Sequence, residues 1–234
     1  MAWSGSFTFG DRFAVYHGAA DGTDRHIHAA CQIVLSSDRS ALIEDETGHC
    51  HTGREGWVIP PMTVHALRAT GPVILVYLDA HAPLAARILR ATPAGTVVPL
   101  DTGLVPLDSR AGAAPIVAAL SAEMARATPH LDARLTVALE ALARNPGQLS
   151  ITEAAAMAGL SPSRLRSLAR SGLGLPLSTW MIWRKLERAG RALAQGAPLA
   201  QAALDGGFAD QAHFARAMRR MFGITPRAAR HSLQ

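Results

Sequence analysis

Apolar residues in the first part of the chain fall in short runs, and clusters of Gly, Pro, Asp or Ser separate one run from the next. Short apolar runs at a spacing of roughly 8 to 12 residues are typical of the strands of a β-sandwich or a barrel. The pattern predicts seven strands, over residues 6–9, 12–16, 31–35, 41–43, 57–59, 64–67 and 73–78.

The pattern changes after Pro83, where Ala and Leu become frequent. A stretch over 92–115 that is rich in Pro and Gly predicts a connection. Two amphipathic helices are predicted after it, over 116–127 and 131–144. The chain therefore passes from a β-rich part to a helical part, which predicts an α+β protein with two domains.

Helix start and stop signals are clearest from Ser150 onward. Ser150 and Glu153 have the spacing of a capping box, which predicts a short helix to about residue 158. Gly159 then supplies a turn, and Ser161 followed by Pro162 predicts the start of a second helix, to about residue 171. Two short helices joined by a tight turn that contains Gly form a helix-turn-helix unit.

The same arrangement occurs again farther along the chain. A short helix is predicted over 199–205, a turn at Gly206 and Gly207, and a second helix that begins after Asp210 and ends near 222. Asp210 lies 49 positions after Ser161, so the unit is duplicated. A helix over 176–194 joins the copies and would be about 28 Å long. Recognition helices held roughly 34 Å apart can enter successive major grooves on one face of DNA.

The distribution of charge agrees with a nucleic-acid partner for the second half. The chain of 234 residues has a net charge of +5, but residues 1–130 carry 9 Arg against 12 acids, and residues 131–234 carry 14 Arg or Lys against 6 acids. Halves of −3 and +8 indicate that the C-terminal part binds a polyanion. Cys31 and Cys50 have no metal or disulfide spacing, and no apolar run reaches the ~20 residues of a membrane helix, so we expect a cytoplasmic protein.

The distal repeat, residues 207–226, resembles the signature of the AraC/XylS family of bacterial transcription regulators: Gly-Phe, an Asp cap, Phe-x-Arg, Arg-x-Phe-Gly and Thr-Pro. The proximal repeat is similar but has Ser167 and Ala169 where the family usually has Arg and Phe. The resemblance implies two helix-turn-helix units that bind double-stranded DNA, a homodimer, and contact with RNA polymerase.

Helical phase assigns the side chains of each recognition helix. Leu165 and Leu168 are predicted to face the core in the first helix, and Phe214, Met218 and Met221 in the second. The predicted base-reading residues are Ser163, Arg166, Ser167, Arg170, Gln211, Ala212, Ala215 and Arg216. The predicted phosphate contacts are Arg184, Lys185, Arg219 and Arg220.

The β-rich part contains His26-x-His28 and, later, Pro60-Pro-Met-x-x-His65, which resemble the two cupin motifs. This resemblance implies a cupin-like β-barrel. In cupin enzymes the histidines and an acid ligate a metal, but Gln32 stands at the acid's position and Met62 at that of the motif glycine. A barrel interior is also the expected place for a small effector. The candidate effector-binding residues are His26, His28, Gln32, Trp57, His65 and Tyr77.

These observations predict three segments: an effector-sensing domain over 1–100, a linker with a dimerisation helix over 101–130, and a DNA-binding domain over 131–234. The predicted function is a transcription regulator whose DNA binding responds to a small effector. The sequence establishes no cofactor, and the one candidate is a divalent metal at the cupin-like site. One alternative is a metal-responsive regulator that uses His26, His28 and His65 to hold a divalent metal, and a second is a metal-dependent cupin enzyme. The sequence has no nucleophilic triad and no phosphate-binding glycine loop, so we expect no enzymatic activity.

Overall fold

The computed structural model describes residues 3–105, 107–126 and 131–229, which form a β-rich N-terminal part and a helical C-terminal part. The strands of the N-terminal part are β1 (Ser4–Gly10), β2 (Phe13–Ala19), β3 (Cys31–Leu35), β4 (Leu42–Asp45), β5 (Cys50–His51), β6 (Gly56–Ile59), β7 (His65–Arg68), β8 (Pro72–Leu78) and β9 (Val98–Pro99). They form a six-stranded sheet in the order β1-β2-β8-β3-β6-β9 and a three-stranded sheet in the order β5-β4-β7.

The long central strands of the larger sheet are buried on both faces because residues alternate between two cores. Val15 and Val76 face one core, which is covered by helices α1 (Pro83–Arg90) and α2 (Ala113–Arg126). Tyr16 and Tyr77 face the other core, which includes Ile43 of the smaller sheet and also side chains of the C-terminal helices. The larger sheet therefore lies between a core of the N-terminal part and a core that is shared with the helical part.

All seven predicted strands are present, within a few residues of the predicted bounds. The two-residue strands β5 and β9 and helix α1 were not predicted. The segment predicted as a connection contains the start of α2 at Ala113, and the predicted last residue of that helix, Ala127, lies outside the described residues. An isolated β-bridge joins His65 of β7 to His26, which lies between β2 and β3. Among the described residues no strand of one sheet pairs with a strand of the other, so their hydrogen bonding does not close into a continuous barrel.

The helices of the C-terminal part are α3 (Ala133–Arg144), α4 (Ile151–Met157), α5 (Pro162–Leu173), α6 (Leu177–Ala194), α7 (Leu199–Asp205), α8 (Gln211–Phe222) and α9 (Pro226–Ala229). The predicted capping box is present at the start of α4, where Ser150 and Glu153 bond each other's backbone N–H. Ser161 and Asp210 cap α5 and α8 as predicted.

The duplication extends to the ends of the recognition helices. Helices α5 and α8 each contain 12 residues, and each ends at a glycine in the left-handed conformation, Gly174 at φ 72° and Gly223 at φ 66°. A glycine at this position accepts positive φ without steric cost, and its N–H bonds a carbonyl of the last turn. A side-chain cap at the start and a left-handed glycine at the end of each helix therefore give two recognition helices of equal length.

The helical part docks on the sheet-rich part through α6 and α8. The ring of Trp183 on α6 lies 6.2 Å from that of Tyr77 on β8, measured between centroids, and Phe222 at the end of α8 contacts both rings. The Trp183 indole N–H donates to Asp79 at 2.7 Å. This contact region, which we call the seam, joins the two parts through buried aromatic and polar groups.

Candidate DNA-binding surface and interdomain seam

Helix α5 buries one side and exposes the side predicted to enter the groove. Leu165, Ala169 and Leu173 are buried, at a spacing of four residues. Leu168, which was predicted to face the core, is only half-buried, because the buried stripe runs through Ala169. The predicted base-reading residues Ser163, Arg166, Ser167 and Arg170 are all exposed.

Helix α8 likewise has one buried side and one exposed side. Phe214, Met218 and Met221 are buried as predicted, together with Ala217. Of the predicted base-reading residues, Gln211, Ala212 and Arg216 are exposed and Ala215 is half-buried. The exposed Arg and Gln side chains are of the types that bond guanine and adenine in the major groove. Their contacts with bases remain a prediction.

The four predicted phosphate contacts differ in what they bind within the protein. Arg184 lies 3.3 Å from Asp79 and also pairs with Glu187. Lys185 donates from Nζ to the Gly207 carbonyl at 2.7 Å, which ties α6 to the turn before α8. Arg219 pairs with Asp24 of the N-terminal part at 2.8 Å. Arg220 is exposed, but its backbone carbonyl accepts a hydrogen bond from Ile27.

Sequence patterns did not identify the acids that hold these basic groups. Asp24 and Asp79 belong to the N-terminal part, and nothing in their local sequence marks them as partners of residues more than a hundred positions away. Arg191 makes a further contact between the parts, since its guanidinium donates to the Gly10 carbonyl at 2.6 Å and to Glu187 at 2.9 Å. Carboxylates and a backbone carbonyl of the N-terminal part therefore bind arginines of the helical part where the two parts meet.

Four of the six predicted effector-binding residues form one buried cluster, which contains His26, His28, His65 and Gln32. The Gln32 side chain lies 2.7 Å from His28 Nε2 and 3.1 Å from His65 Nε2. The Nδ1 atom of each histidine lies 2.9 Å from a backbone carbonyl, of Asp24, Ala30 and Thr63 respectively. Because a backbone carbonyl only accepts, these contacts assign the proton to Nδ1 and leave the Nε2 atoms as acceptors or metal ligands. The Gln32 atom that faces His28 and His65 is Oε1, which also only accepts, so this tautomer requires the Gln32 amide to turn and present its NH₂ group to the two rings.

Burial keeps these imidazoles neutral. Burial, together with the neighbouring His28, lowers the pKa of His26 to about 3. Burial also lowers the pKa of His28 and of His65. One ring nitrogen from each histidine lies within 4.8 Å of the others. Neutral imidazoles are suitable ligands for a divalent metal, but nitrogens that bind one tetrahedral metal at about 2.0–2.1 Å lie roughly 3.4 Å apart, so the most separated rings would have to move closer together.

The two remaining effector candidates lie in different surroundings. Tyr77 borders the cluster, with its ring centroid 5.6 Å from that of His28, and it also lines a narrow apolar cavity in the seam. Trp57 lies apart, beside the ring of His51 at 5.5 Å. The seam cavity has a volume of about 50 Å³. Its aromatic walls are Trp3, Phe7, Phe9, Tyr77, Trp183, Phe214 and Phe222, and Glu187 also lines it.

The exposed polar stripes of two capped recognition helices, joined by a long helix on a basic domain, define a helix-turn-helix transcription regulator. Residues 154–232 match the family model described as "Helix-turn-helix domain". A transcriptional regulator from Chromobacterium violaceum, described as one of the AraC-type DNA-binding domain-containing proteins, is 32% identical over 42% of this chain and 88% of its own, with a TM-score of 0.39. The chain belongs to the AraC/XylS family of transcription regulators.

The two-domain architecture also has a solved counterpart. Wild-type ToxT from Vibrio cholerae strain SCE256, whose structure contains an unsaturated fatty acid, aligns over 94% of this chain and 93% of its own with a TM-score of 0.56 and 11% identity. This likeness shows a shared fold. No curated protein sequence matches the chain. None of the helices in the described ranges has the length and apolar character needed to cross a membrane.

Proposed function

We propose that this regulator binds its DNA sites with α5 and α8, and that docking of its two parts at the seam controls how strongly it binds. A small effector held in the N-terminal domain would change that docking. The observation that carries the proposal is that acids of the N-terminal part bind cations of the helical part. Two residues predicted to contact phosphates, Arg184 and Arg219, are paired with Asp79 and Asp24.

Docking and DNA binding therefore compete for the same positive charges. When an arginine is held by an acid and cannot bind a phosphate, DNA affinity falls, and so does its dependence on salt. The net charge of −3 on residues 1–130 adds repulsion between the docked N-terminal part and a nearby phosphate backbone. We infer that the docked arrangement has the lower affinity for DNA, and that separation of the parts at the seam raises it.

The seam cavity is small, so an effector that enters it would change how the two parts dock. A volume of about 50 Å³ accommodates a few water molecules, whereas ligand pockets typically measure ~300–1,000 Å³. An apolar ligand that enters beside Tyr77 must separate Trp183 and Phe222 from the sheet. Such a ligand would bind the separated state more tightly than the docked state and would shift the equilibrium by that difference. The fatty acid in the ToxT structure is consistent with an apolar effector.

The experiment begins by selecting bound fragments from random DNA, since the operator is unknown. The affinity of the full chain for a selected fragment is then compared with that of Asp24→Asn, which removes the partner of Arg219, and of Glu46→Gln, which removes an exposed acid of the same domain. We expect Asp24→Asn to bind up to about 5-fold more tightly, as loss of an exposed ion pair worth up to ~1 kcal/mol allows. Equal effects of the two substitutions would refute the competition.

Base reading is tested in the same selection with Arg216→Ala. Preference should relax at one base pair if Arg216 reads a base, and binding should weaken uniformly across sequences if it holds a phosphate. Arg220→Ala is the matched control, because Arg220 is an exposed arginine of the same helix that is predicted to contact a phosphate. Uniform weakening by both substitutions would contradict the assignment of Arg216.

The histidine cluster supports a second candidate, a metal-responsive regulator. His26, His28 and His65 would hold the metal through Nε2, with each Nδ1–H fixed by a backbone carbonyl. Gln32 opposes this candidate, because its amide already bonds two of the rings and supplies no negative charge. It also disfavours a cupin enzyme. Zn²⁺ or Ni²⁺ titration into the purified protein, with DNA affinity measured before and after chelation, separates the two candidates.

The homodimer, the contact with RNA polymerase, the cytoplasmic location and the segment bounds 1–100, 101–130 and 131–234 remain part of this proposal. Helix α2, proposed for dimerisation, buries Ile116, Leu120 and Met124 against the larger sheet. Only its opposite side is therefore available to a second copy of the chain.

A further inference from the structure

A second cleft lies where the two parts of the chain meet, separate from the histidine cluster. The turn between β1 and β2 and the residues after β8 form one wall, and α3 and α6 form the other. The cleft has a volume of about 710 Å³, within the range of small-molecule sites. The polar residues that matter here are Asp11, Arg12, Asp79, His81, Trp180 and Arg184.

Three buried nitrogen atoms of this cleft have no hydrogen-bond partner among the described residues: Arg12 Nη1, His81 Nδ1 and Trp180 Nε1. Trp180 is only 5% exposed. An unpaired buried polar group costs about 1–3 kcal/mol, and native proteins leave few of them. Two of these groups can only donate, and the histidine nitrogen can donate as well. A ligand that satisfies all three must offer acceptor oxygens.

Each acid that lines the cleft already accepts a hydrogen bond within the protein, and the donor to Glu140 is Arg144. Asp11 accepts from Arg12 Nε at 3.0 Å. Asp79 accepts from Trp183 at 2.7 Å and from Arg184 at 3.3 Å. The buried polar groups of the cleft that lack a partner are therefore hydrogen-bond donors.

The backbone conformation of Arg12 and two hydrogen bonds fix the position of its guanidinium group. Arg12 has φ 60°, a left-handed conformation that is uncommon for residues other than Gly. Its Nη2 donates to the Met124 carbonyl of α2 at 2.9 Å, and its Nε is held by Asp11. With two nitrogens fixed, the position of the third, Nη1, is fixed as well, within a residue that lines the cleft. Strained residues that persist in a fold are often found at binding sites.

We propose that this cleft binds a small oxyanion with a single negative charge, a carboxylate group, through Arg12, His81 and Trp180. The three acids that line the cleft, Asp11, Asp79 and Glu140, outnumber its two arginines, which disfavours a doubly charged phosphate. Arg12 and His81 come from the N-terminal part and Trp180 comes from α6, so the ligand bridges the two parts. Its binding stabilises the docked arrangement, and this regulatory consequence rests on the proposed function.

The indole N–H groups provide a direct test. The chain has four tryptophans, which give four indole cross-peaks in a ¹⁵N–¹H correlation spectrum. The N–H groups of Trp3 and Trp183 already donate to Gly22 and Asp79, whereas those of Trp57 and Trp180 have no partner within the described residues. Millimolar sodium acetate should move the Trp180 peak. Sodium chloride at equal ionic strength should not, and inorganic phosphate should move it less.

Substitutions complete the test. Trp180→Phe assigns the peak by its loss. Arg12→Gln should weaken acetate binding by about ten-fold or more, as expected for loss of a charged hydrogen bond. Arg39→Gln is the matched control, since Arg39 is also an arginine in the left-handed conformation, at φ 59°, and lies outside the cleft. Unchanged Trp3 and Trp183 peaks show that the variant is folded.

Each outcome decides one part of the proposal. If the Trp180 peak responds equally to acetate and to chloride, the response is an effect of salt and the proposal is wrong. If the Trp57 peak moves in its place, the carboxylate binds elsewhere and the proposal is also wrong. If Trp180 responds but acetate leaves DNA affinity unchanged, the binding site is confirmed and the docking model of the proposed function fails. We expect acetate to lower the DNA affinity of the wild type and not that of Arg12→Gln.

Discussion

Replacement of Trp183 by Phe removes one hydrogen bond from the seam and keeps the aromatic ring. Trp183 is 5% exposed, and its indole N–H donates to Asp79 Oδ1 at 2.7 Å. Asp79 is 4% exposed, and its other oxygen accepts only a longer bond from Arg184, at 3.3 Å. The substitution therefore leaves a buried carboxylate with one weak donor in the docked state, whereas in the separated state water can solvate it.

Loss of a hydrogen bond to a buried charged group costs about 1.5–3 kcal/mol. Because this cost applies only to the docked state, the docking equilibrium should shift towards separation by roughly ten- to a hundred-fold. Fluorescence anisotropy with a selected DNA fragment measures the outcome, and the affinity of Trp183→Phe should rise towards that factor. Its salt dependence should also steepen, because separation removes the Asp79 carboxylate from Arg184 and leaves that arginine with Glu187 as its one acidic partner among the described residues.

Trp57→Phe is the matched control. Trp57 is a buried tryptophan of the N-terminal part that lies beside His51 and does not line the seam cavity, so the same replacement there leaves the contacts of the seam in place. If Trp183→Phe destabilises the protein to heat yet binds DNA with the wild-type affinity and salt dependence, the competition between docking and DNA binding is refuted. Equal gains in affinity for both variants would refute it as well.

Three further predictions concern stability. Leu165→Ala should destabilise the C-terminal domain by about 2–5 kcal/mol in chemical denaturation, because Leu165 is fully buried in α5, and an effect below ~1 kcal/mol would contradict that packing. Ser161→Ala should cost about 1 kcal/mol in the same assay, because it removes the acceptor for the Arg164 N–H at the start of α5. Acid should destabilise the fold, because the pKa of His26 is about 3 in the folded chain and 6.5 in the unfolded chain. The unfolded state alone takes up this proton, so stability is complete above about pH 6.5 and falls by up to ~1.4 kcal/mol per pH unit as the pH drops towards 3; a flat pH profile would contradict the burial of the cluster.

The helical part was predictable because its signals are local. A cap residue, a first-turn proline and a terminal glycine act within a few positions of one another, so Ser161, Pro162 and Asp210 gave the recognition helices to within about two residues. Helical phase alone did not decide which residue of α5 faces the core, because Leu168 and Ala169 are adjacent. In the folded chain the smaller residue, Ala169, is the one that is buried.

The seam was not predictable from the sequence, because its contacts join residues far apart in the chain. The alternation of apolar residues gave the strands of the larger sheet, but no local pattern places β8 between β2 and β3. Within the N-terminal part, the cupin-like motif predicted a turn at Met62, the position that a glycine fills in that motif. Met62 has φ 62°, so the left-handed conformation of that turn is present without the glycine.

Two recognition helices joined by α6 should bind one duplex together, and the regulator assignment depends on this joint binding. Hydroxyl-radical footprinting of the full chain on a selected DNA fragment shows where each helix contacts the duplex. We expect two protected segments about 10 base pairs apart on the same face of the DNA helix. Protection of a single segment, or of two segments on opposite faces, would refute the joint binding.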